Sequence, residues 1–235
     1  MNTSSRIIVA LDYVNPNDAL TLVTQLAPDR CKLKIGKELF TRAGPDFVRT
    51  LVKKKFDVFL DLKFHDIPNT VARACTAAAE LGVWMVNVHA LGGRNMLQAA
   101  REAIQKVANP PFLIAVTILT SMSEKDMAEV GLTGAAAENV SRLAQLTQQC
   151  GLDGVVCSAL EAKALRSLTN PNFKLVTPGI RFADSATADQ QRIATPRFAI
   201  EQGADYLVVG RPITQAVNPM AVIERIEQEI RLVAY

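Results

Sequence analysis

A lysine stands between two aspartates in the segment DLKFHD at positions 61–66, which follows an apolar run at 56–60. Alternate side chains of a β-strand share a face, so Asp61 and Lys63 are predicted to point together. Neighbouring carboxylates favour the charged form of an amine, and Lys63 is therefore expected to be a fixed, protonated acid. A structural ion pair that closes a strand would have the same local pattern, and both hypotheses stay open at this point.

Glycine and arginine recur together in two turns near the C-terminus, PGIR at 178–181 and GRP at 210–212. Glycine lets backbone N–H groups approach an anion, and arginine offers a fork of donors that fits phosphate oxygens. The turns therefore predict a phosphate site that includes Arg181, Gly210 and Arg211, with two ordinary glycine turns as the alternative. The polar stretch 182–195 is typical of a lid that closes over a ligand.

These side chains need elements that bring them together, and the chain repeats a short apolar strand followed by a helical pattern eight times. The strands are predicted at residues 7–11, 32–35, 58–62, 85–89, 112–118, 154–157, 174–177 and 206–209. The helices are predicted at residues 16–26, 45–54, 70–81, 95–107, 136–150, 159–167, 196–202 and 219–232. Eight such units indicate an α/β fold, a closed (β/α)8 TIM barrel of parallel strands.

An open, doubly wound sheet is the alternative architecture. Such a sheet should carry a glycine fingerprint after its first strand, but the residues at 12–15 are DYVN, and neither a GxGxxG motif nor a P-loop occurs anywhere in the chain. The chain also has no linker rich in Pro, Gly or Ser. We therefore expect a single barrel domain over residues 1–235.

In a barrel of this kind, the functional groups lie at the carboxyl ends of the strands and in the loops that follow them. Lys34 is placed inside the end of the second predicted strand, beside the Asp61–Lys63 pair of the third. Because the two strands are neighbours, we expect a row of alternating charge that runs from Lys34 through Asp61 and Lys63 to Asp66. Thr120 follows the fifth strand at the same end.

Two further residues at predicted strand ends have ordinary structural interpretations. Asp12 follows the first strand and could serve as the N-terminal cap of the next helix. His89 ends the fourth strand. A histidine at such a position is more often a hydrogen-bonded interior residue than a catalytic one. The local sequence gives no reason to assign chemistry to either residue by itself.

Composition excludes several other classes of function. The 26 basic and 23 acidic residues are dispersed, with a net charge of +3, so no basic stripe indicates a nucleic acid or a membrane surface as partner. The four cysteines, Cys31, Cys75, Cys150 and Cys157, occur singly and without zinc-site spacing, which fits reduced thiols in the cytoplasm. Residues 1–6 contain no apolar h-region or cleavage site, and no apolar run approaches the length of a bilayer span, so we expect a soluble protein that is not exported.

The chain resembles the orotidine 5′-monophosphate decarboxylase family over essentially its full length. The family's signature matches DLKFHDIPNT at 61–70, which is specific, and further matches lie along the whole chain: Asp12, KIG at 34–36, Thr120, PGIR at 178–181, Gln190, Gly210 and Arg211. The shorter core DxKxxD also occurs in related barrels that act on sugar phosphates. Those barrels use a magnesium ion and an enediolate intermediate.

The resemblance implies cofactor-independent decarboxylation of orotidine 5′-monophosphate to UMP and CO2, the last step of de novo pyrimidine synthesis, without a metal. It gives Lys63 the role of donating a proton to C6 of the pyrimidine, and it places Asp61 beside the departing carboxylate. It implies that Lys34 and Asp66 hold the charged row together. A vinyl-type carbanion at C6 has no electron sink, so a preorganised cation beside that carbon is the physical requirement.

The resemblance also implies the substrate-binding residues. Those that reach the ribose hydroxyls are Asp12, Lys34, Asp66 and Thr70. Thr120 matches the position that recognises the pyrimidine edge. Those that form the phosphate grip and its lid are Arg181, Gln190, Gly210 and Arg211. Remote binding of phosphate would then supply free energy that closes the lid and orders the charged row.

A homodimer with shared active sites is implied as well, in which Asp66 and Thr70 of one chain complete the site of the other. The Ile-Pro pair at 67–68 offers an apolar surface that a partner could bury. Two other classes remain as alternatives: a magnesium-dependent aldolase or sugar-phosphate decarboxylase of the same barrel group, and a non-catalytic barrel that binds nucleotide phosphates. Lys34 and the PNT segment at 68–70 weigh against the first, and the intact charged row weighs against the second.

Overall fold

A computed structural model of the protein describes residues 5–185 and 194–233. Within these residues the strands are β1 Ile7–Ala10, β2 Lys32–Gly36, β3 Val58–Phe64, β4 Met85–His89, β5 Phe112–Val116, β6 Gly154–Val156, β7 Lys174–Thr177 and β8 Tyr206–Val209. Every strand pairs in parallel with the next, and β8 pairs with β1. The sheet is therefore closed, and the predicted (β/α)8 barrel is confirmed.

Helices follow the strands and surround the barrel. In the described part of the chain they are α1 Pro16–Val23, α2 Lys37–Lys53, α3 Pro68–Glu80, α4 Gly93–Gln105, α5 Glu124–Glu129, α6 Ala136–Gln149, α7 Ala159–Leu168, α8 Pro196–Glu201, α9 Arg211–Thr214 and α10 Pro219–Arg231. Single 3₁₀ turns lie at Ala90–Gly92 and Ala183–Ser185. The short helices α5 and α9 are not among the predicted helices.

The helix after β2 begins at Lys37 rather than at the predicted residue 45. Its two halves meet at Gly44, whose φ of 68° and ψ of −172° are not helical. Glycine adopts this conformation without a steric penalty, and Pro45 then starts the second half with a preset φ. The sequence pattern found only the second half because the first is short.

Two layers of apolar side chains hold the barrel. The larger layer lies between the strands and the helices, and the smaller one fills the barrel interior with Ile8, Ala10, Phe59, Met85, Ile114, Val176 and Val208. At the amino ends of the strands, Trp84 packs edge-on against Phe112 and Tyr206. The interior is thus a packed core, and room for a ligand is left at the carboxyl ends.

β3 departs from regular geometry at the end that carries the charged residues. Leu60 pairs with Val86 and Phe64 with Val88, so β3 has extra residues between two consecutive pairing points. Lys63 lies in this bulge with a φ of 52°. The strand therefore continues to Phe64, two residues beyond the predicted end at residue 62.

None of the helices in residues 5–185 and 194–233 combines the length and the apolar character that crossing a bilayer requires.

Candidate active site

Four charged side chains meet at the carboxyl ends of β1, β2 and β3. Lys63 donates through Nζ to Asp61 Oδ1 at 2.6 Å. Lys34 Nζ lies 3.4 Å from Asp61 Oδ2 and 3.1 Å from Asp12 Oδ1. The charges therefore alternate in the order Asp12, Lys34, Asp61, Lys63, with Asp61 held between two ammonium groups.

Strand pairing explains why these residues meet. Lys34 pairs with Ala10 of β1, so Asp12 follows two residues beyond the pairing point. Gly36 pairs with Asp61 of β3, which brings the end of β2 beside the carboxylate. Lys34 and Asp61 are buried, whereas Asp12 is exposed. Each buried charge thus has an opposite charge within 3.4 Å, as burial of an ion requires.

The environment of Asp61 keeps its carboxylate ionised. Burial alone disfavours the charged form and raises the pKa, but the nearby charges of Lys34 and Lys63 lower it. Hydrogen bonds from Lys63 and Asn87 lower it further, so that the net pKa lies below the ordinary value of 3.8. Asp61 therefore stays negative at neutral pH and is a fixed counterion for both lysines.

Asn87 of β4 is a site residue that is not among those predicted from the sequence. Its side chain is fully buried and donates through Nδ2 to Asp61 Oδ1 at 2.7 Å. Its Oδ1 accepts the backbone N–H of Lys63 at 2.8 Å. The available signal was an amide in the middle of the otherwise apolar strand MVNVH, since a buried polar side chain needs partners.

Asp66 does not join the row within its own chain. Its Oδ1 accepts the backbone N–H of Ile67 at 2.6 Å, and the residue is exposed. The reason is that β3 ends at Phe64 and the following segment, 65–70, lies on the surface at the barrel mouth. Among the described residues, the fourth charge of the row is Asp12 and not, as expected, Asp66. Thr70, in the first turn of α3, is exposed too.

A cavity of about 130 Å³ adjoins the row. Its lining consists of Lys34, Phe59, Asp61, Lys63, Val116, Ile118, Leu119, Thr120, Val156, Pro178 and Val208. One wall is therefore charged and the rest is largely apolar. Thr120 adds a hydroxyl group, which can hydrogen-bond a polar ring edge.

The two glycine and arginine turns lie at the same mouth, after the neighbouring strands β7 and β8. Gly210 precedes α9, and Arg211 is the first residue of that helix. The backbone N–H of Arg181 donates to the carbonyl oxygen of Ala194 at 3.1 Å, which joins the two ends of the predicted lid. Gln190 lies outside the described residues. The topology thus brings both arginines to the end of the barrel that carries the charged row.

His89 has a structural environment. Its Nδ1 accepts the backbone N–H of Leu91 at 3.4 Å, and its ring stacks on His65 with 5.4 Å between centroids. Burial lowers the pKa of His89 to about 4, with the charges of His65, Lys37 and Lys63 acting in the same direction. The imidazole is therefore neutral at physiological pH.

The capping alternative for Asp12 is wrong. α1 is capped by Asn15, whose side chain accepts the backbone N–H of Asn17 at 3.0 Å. Asp12 instead pairs with Lys34.

Within residues 5–185 and 194–233, no three His, Cys, Asp or Glu side chains are grouped so that they could hold a metal ion.

The closed barrel, with its charged row and cavity at the carboxyl ends of the strands, defines the class of (β/α)8-barrel proteins whose site lies at that mouth. Residues 5–226 match the model of the "Orotidine 5'-phosphate decarboxylase / HUMPS family". The chain belongs to this family.

Curated relatives and solved structures agree with this assignment. Proteins named orotidine 5'-phosphate decarboxylase from Nitrosococcus oceani and Nitrosospira multiformis are 59% and 60% identical to this chain. The alignments cover 96% of this chain in both cases and 97% and 93% of the relatives. The crystal structure of orotidine 5'-phosphate decarboxylase from Lactobacillus acidophilus superposes with a TM-score of 0.86 at 39% identity, over 96% of this chain and 99% of the other.

Proposed function

We propose that this chain catalyses the cofactor-independent decarboxylation of orotidine 5′-monophosphate to UMP and CO2. The observation that carries the proposal is the buried Asp61 carboxylate between the ammonium groups of Lys34 and Lys63, beside a cavity that is otherwise largely apolar. Membership of the family and the names of relatives at 56–60% identity support the substrate.

Lys63 is the proton donor in this proposal. The bond between C6 and the carboxylate carbon breaks, CO2 leaves, and the electron pair stays on C6. The Lys63 ammonium transfers a proton to C6, and the neutral amine regains a proton from solvent. Because the C6 carbanion has no electron sink, the nearby positive charge must stabilise it while the bond breaks.

Asp61 and Lys34 prepare the site before substrate arrives. Asp61 accepts Lys63 on Oδ1 and faces Lys34 with Oδ2, so one carboxylate fixes both cations. The departing substrate carboxylate lies beside Asp61. A charged row that is already ordered needs no reorganisation at the moment of reaction, which is the main source of electrostatic catalysis.

The remaining residues bind the nucleotide. Thr120 recognises the pyrimidine edge from the cavity wall, and Asp12 and Lys34 reach the ribose hydroxyls. The phosphate grip and its lid are formed by Arg181, Gln190, Gly210 and Arg211. Guanidinium groups suit this task because their paired N–H donors match phosphate oxygens.

The active unit in this proposal is a cytoplasmic homodimer, each chain being a single barrel domain over residues 1–235. Asp66 and Thr70 of one chain complete the ribose site of the other. The support is that segment 65–70 is exposed at the barrel mouth and that Ile67 leaves 66% of its surface accessible. An apolar side chain at this position is suited to burial by a partner.

A direct assay tests the proposed function. The purified protein is incubated with orotidine 5′-monophosphate and excess EDTA, and loss of the substrate's ultraviolet absorbance is followed. We expect full activity with the chelator and none with pentulose or hexulose phosphates. Activity on a sugar phosphate that requires added Mg²⁺ would instead select the magnesium-dependent alternative, and absence of any turnover would leave only a binding role.

A further inference from the structure

The backbone of Lys63 has a conformation that the strand alone would not maintain. Its φ of 52° lies in the left-handed region, which is unfavourable for a residue with a Cβ atom. The bulge between Leu60 and Phe64 moves this part of β3 out of register with β4. The Lys63 N–H therefore needs a hydrogen-bond partner outside the regular sheet pairing.

Asn87 supplies that partner and contacts the reacting pair at a second point. The side-chain oxygen accepts the Lys63 N–H at 2.8 Å, and the amide nitrogen donates to Asp61 Oδ1 at 2.7 Å. The same carboxylate oxygen receives the Lys63 ammonium at 2.6 Å. One fully buried amide thus connects the backbone of Lys63 to the counterion of its own side chain.

We infer that Asn87 is a positioning residue, which rests on the proposed function. It keeps Lys63 in the left-handed conformation and fixes the Asp61 carboxylate that receives the ammonium group. Asn87 lines neither the cavity nor the phosphate turns, so it acts on substrate only through Asp61 and Lys63. Misplacement of a reacting group by about 1 Å can cost a hundredfold in rate.

The consequence for kinetics is specific. Substrate binding depends mainly on the cavity and the phosphate turns, which Asn87 does not touch, whereas proton transfer to C6 depends on where the ammonium lies. Loss of Asn87 should therefore lower kcat and leave KM for the nucleotide nearly unchanged, which is the pattern of an interaction needed only in the transition state.

Two substitutions test the inference. Asn87→Leu keeps the branching at Cγ and removes both hydrogen bonds, and we expect kcat to fall by about a hundredfold with KM and the Kd for UMP within about threefold of wild type. The Lys63 amide should also exchange faster with deuterium, because its acceptor is gone. This second measurement does not depend on turnover.

Asn87→Asp preserves the side-chain shape, and its effect on kcat should depend on pH. A buried carboxyl group beside Asp61 has a raised pKa, so it is neutral at low pH and ionised at high pH. When neutral it can donate to Asp61 and accept from Lys63, as the amide does. The ratio of the kcat of Asn87→Asp to that of wild type should therefore rise as the pH falls, whereas the ratio for Asn87→Leu should stay constant.

Thr147→Val is the matched control. Thr147 is equally buried and donates to the Leu143 carbonyl at 2.7 Å within helix α6, and it belongs neither to the row nor to the cavity lining. Its loss should lower the melting temperature and leave kcat unchanged.

If both Asn87 variants keep kcat within about threefold of wild type, or the Asn87→Asp ratio does not change with pH, the inference is overturned. Should Asn87→Leu fail to fold, Asn87→Asp decides alone.

Wild-type protein in the same assay distinguishes failure of the proposed function from failure of the positioning role of Asn87. If wild type turns over orotidine 5′-monophosphate and the Asn87 variants have the same kcat as wild type, only the positioning role is refuted. An inactive wild type would refute the proposed function, and deuterium exchange at Lys63 would then decide whether Asn87 holds that backbone.

Discussion

Asp61 and Lys63 form an ion pair of 2.6 Å at a point where β3 is no longer a regular strand. Strand alternation predicts that the two side chains share a face, and the bulge preserves that contact although Lys63 has a left-handed backbone. A flexible lysine stem allows this, because its ammonium can reach a carboxylate from several backbone directions. The pair, once formed, is further restrained by Asn87 and Lys34.

We expect Lys63→Ala to abolish turnover and leave UMP binding largely intact, because the proposed proton donor is lost while the proposed phosphate grip remains. Single-turnover kinetics and UMP titration measure the two effects. Lys125→Ala, at a lysine whose side chain is 84% exposed on α5, is the control and should behave as wild type. Turnover of Lys63→Ala within tenfold of wild type, about 1.4 kcal/mol in the barrier, would remove the proton-donor assignment.

Arg211→Ala should reduce kcat/KM for the nucleotide far more than for the phosphate-free nucleoside orotidine. In the proposed phosphate grip, the Arg211 guanidinium contacts only the phosphate, so its loss should not affect binding of the nucleoside. Steady-state kinetics on both substrates give the two ratios. Arg197→Ala is a suitable control, since Arg197 is exposed and pairs with Glu201 on α8. Equal losses on nucleotide and nucleoside would mean that Arg211 is structural.

The strands could be predicted from the sequence because each is a short apolar run between polar loops. Predicted and observed strand ends differ most at β3, which ends at residue 64 rather than 62, and at β5, which ends at 116 rather than 118. The bulge in β3 has no signature of its own, since the left-handed residue is a lysine and not a glycine. Only pairing with β4 defines it.

The site could be predicted in part. The contact of Lys34 with Asp61 follows from strand order, because adjacent parallel strands end at the same mouth. The contact of Lys63 with Asp61 follows from the alternation of side chains along one strand. The partner of Lys63's backbone could not be predicted, since Asn87 reaches it through a register shift between two strands. The direction of Asp66 likewise depends on the loop after β3, where no periodic pattern constrains the chain.

His89 should make the stability of the fold dependent on pH. Its folded-state pKa is about 4, against an ordinary value of 6.5, because it is buried near the charges of His65, Lys37 and Lys63. As the pH falls through this window, the unfolded chain takes up a proton at His89 and the folded chain does not, so the free energy of unfolding decreases. The contribution of neutral His89 to the free energy of unfolding is fully present above pH 6.5 and is lost by about pH 4.

His89→Gln removes this titration and serves as the comparison. Urea unfolding from about pH 7 to pH 4 should show a smaller decrease in the free energy of unfolding for the variant than for wild type. Titratable groups that both proteins share contribute equally to the two pH dependences, so their contributions cancel when the two are subtracted. Parallel curves over the whole range would show that His89 does not titrate differently in the folded and unfolded states.

The proposed homodimer with shared active sites predicts that two inactive variants can complement each other. Lys63→Ala and Asp66→Ala chains should each be nearly inactive as homodimers. In the mixed dimer, if Asp66 serves the partner's site, one site carries both lesions and the other carries neither. Each heterodimer should therefore regain about half of the activity of a wild-type dimer. The chains are refolded together, and tagged heterodimers are isolated and assayed.

The matched control combines Lys63→Ala with Lys34→Ala. Both lysines contact Asp61 of their own chain, so every site of that mixed dimer carries one lesion and no activity should return. The exposed position of Asp66, with its carboxylate on the Ile67 N–H of its own loop, leaves it accessible to a second chain. If heterodimers of Lys63→Ala and Asp66→Ala form but remain as inactive as the control, Asp66 acts within its own chain, and the loop after β3 must then move inward when substrate binds.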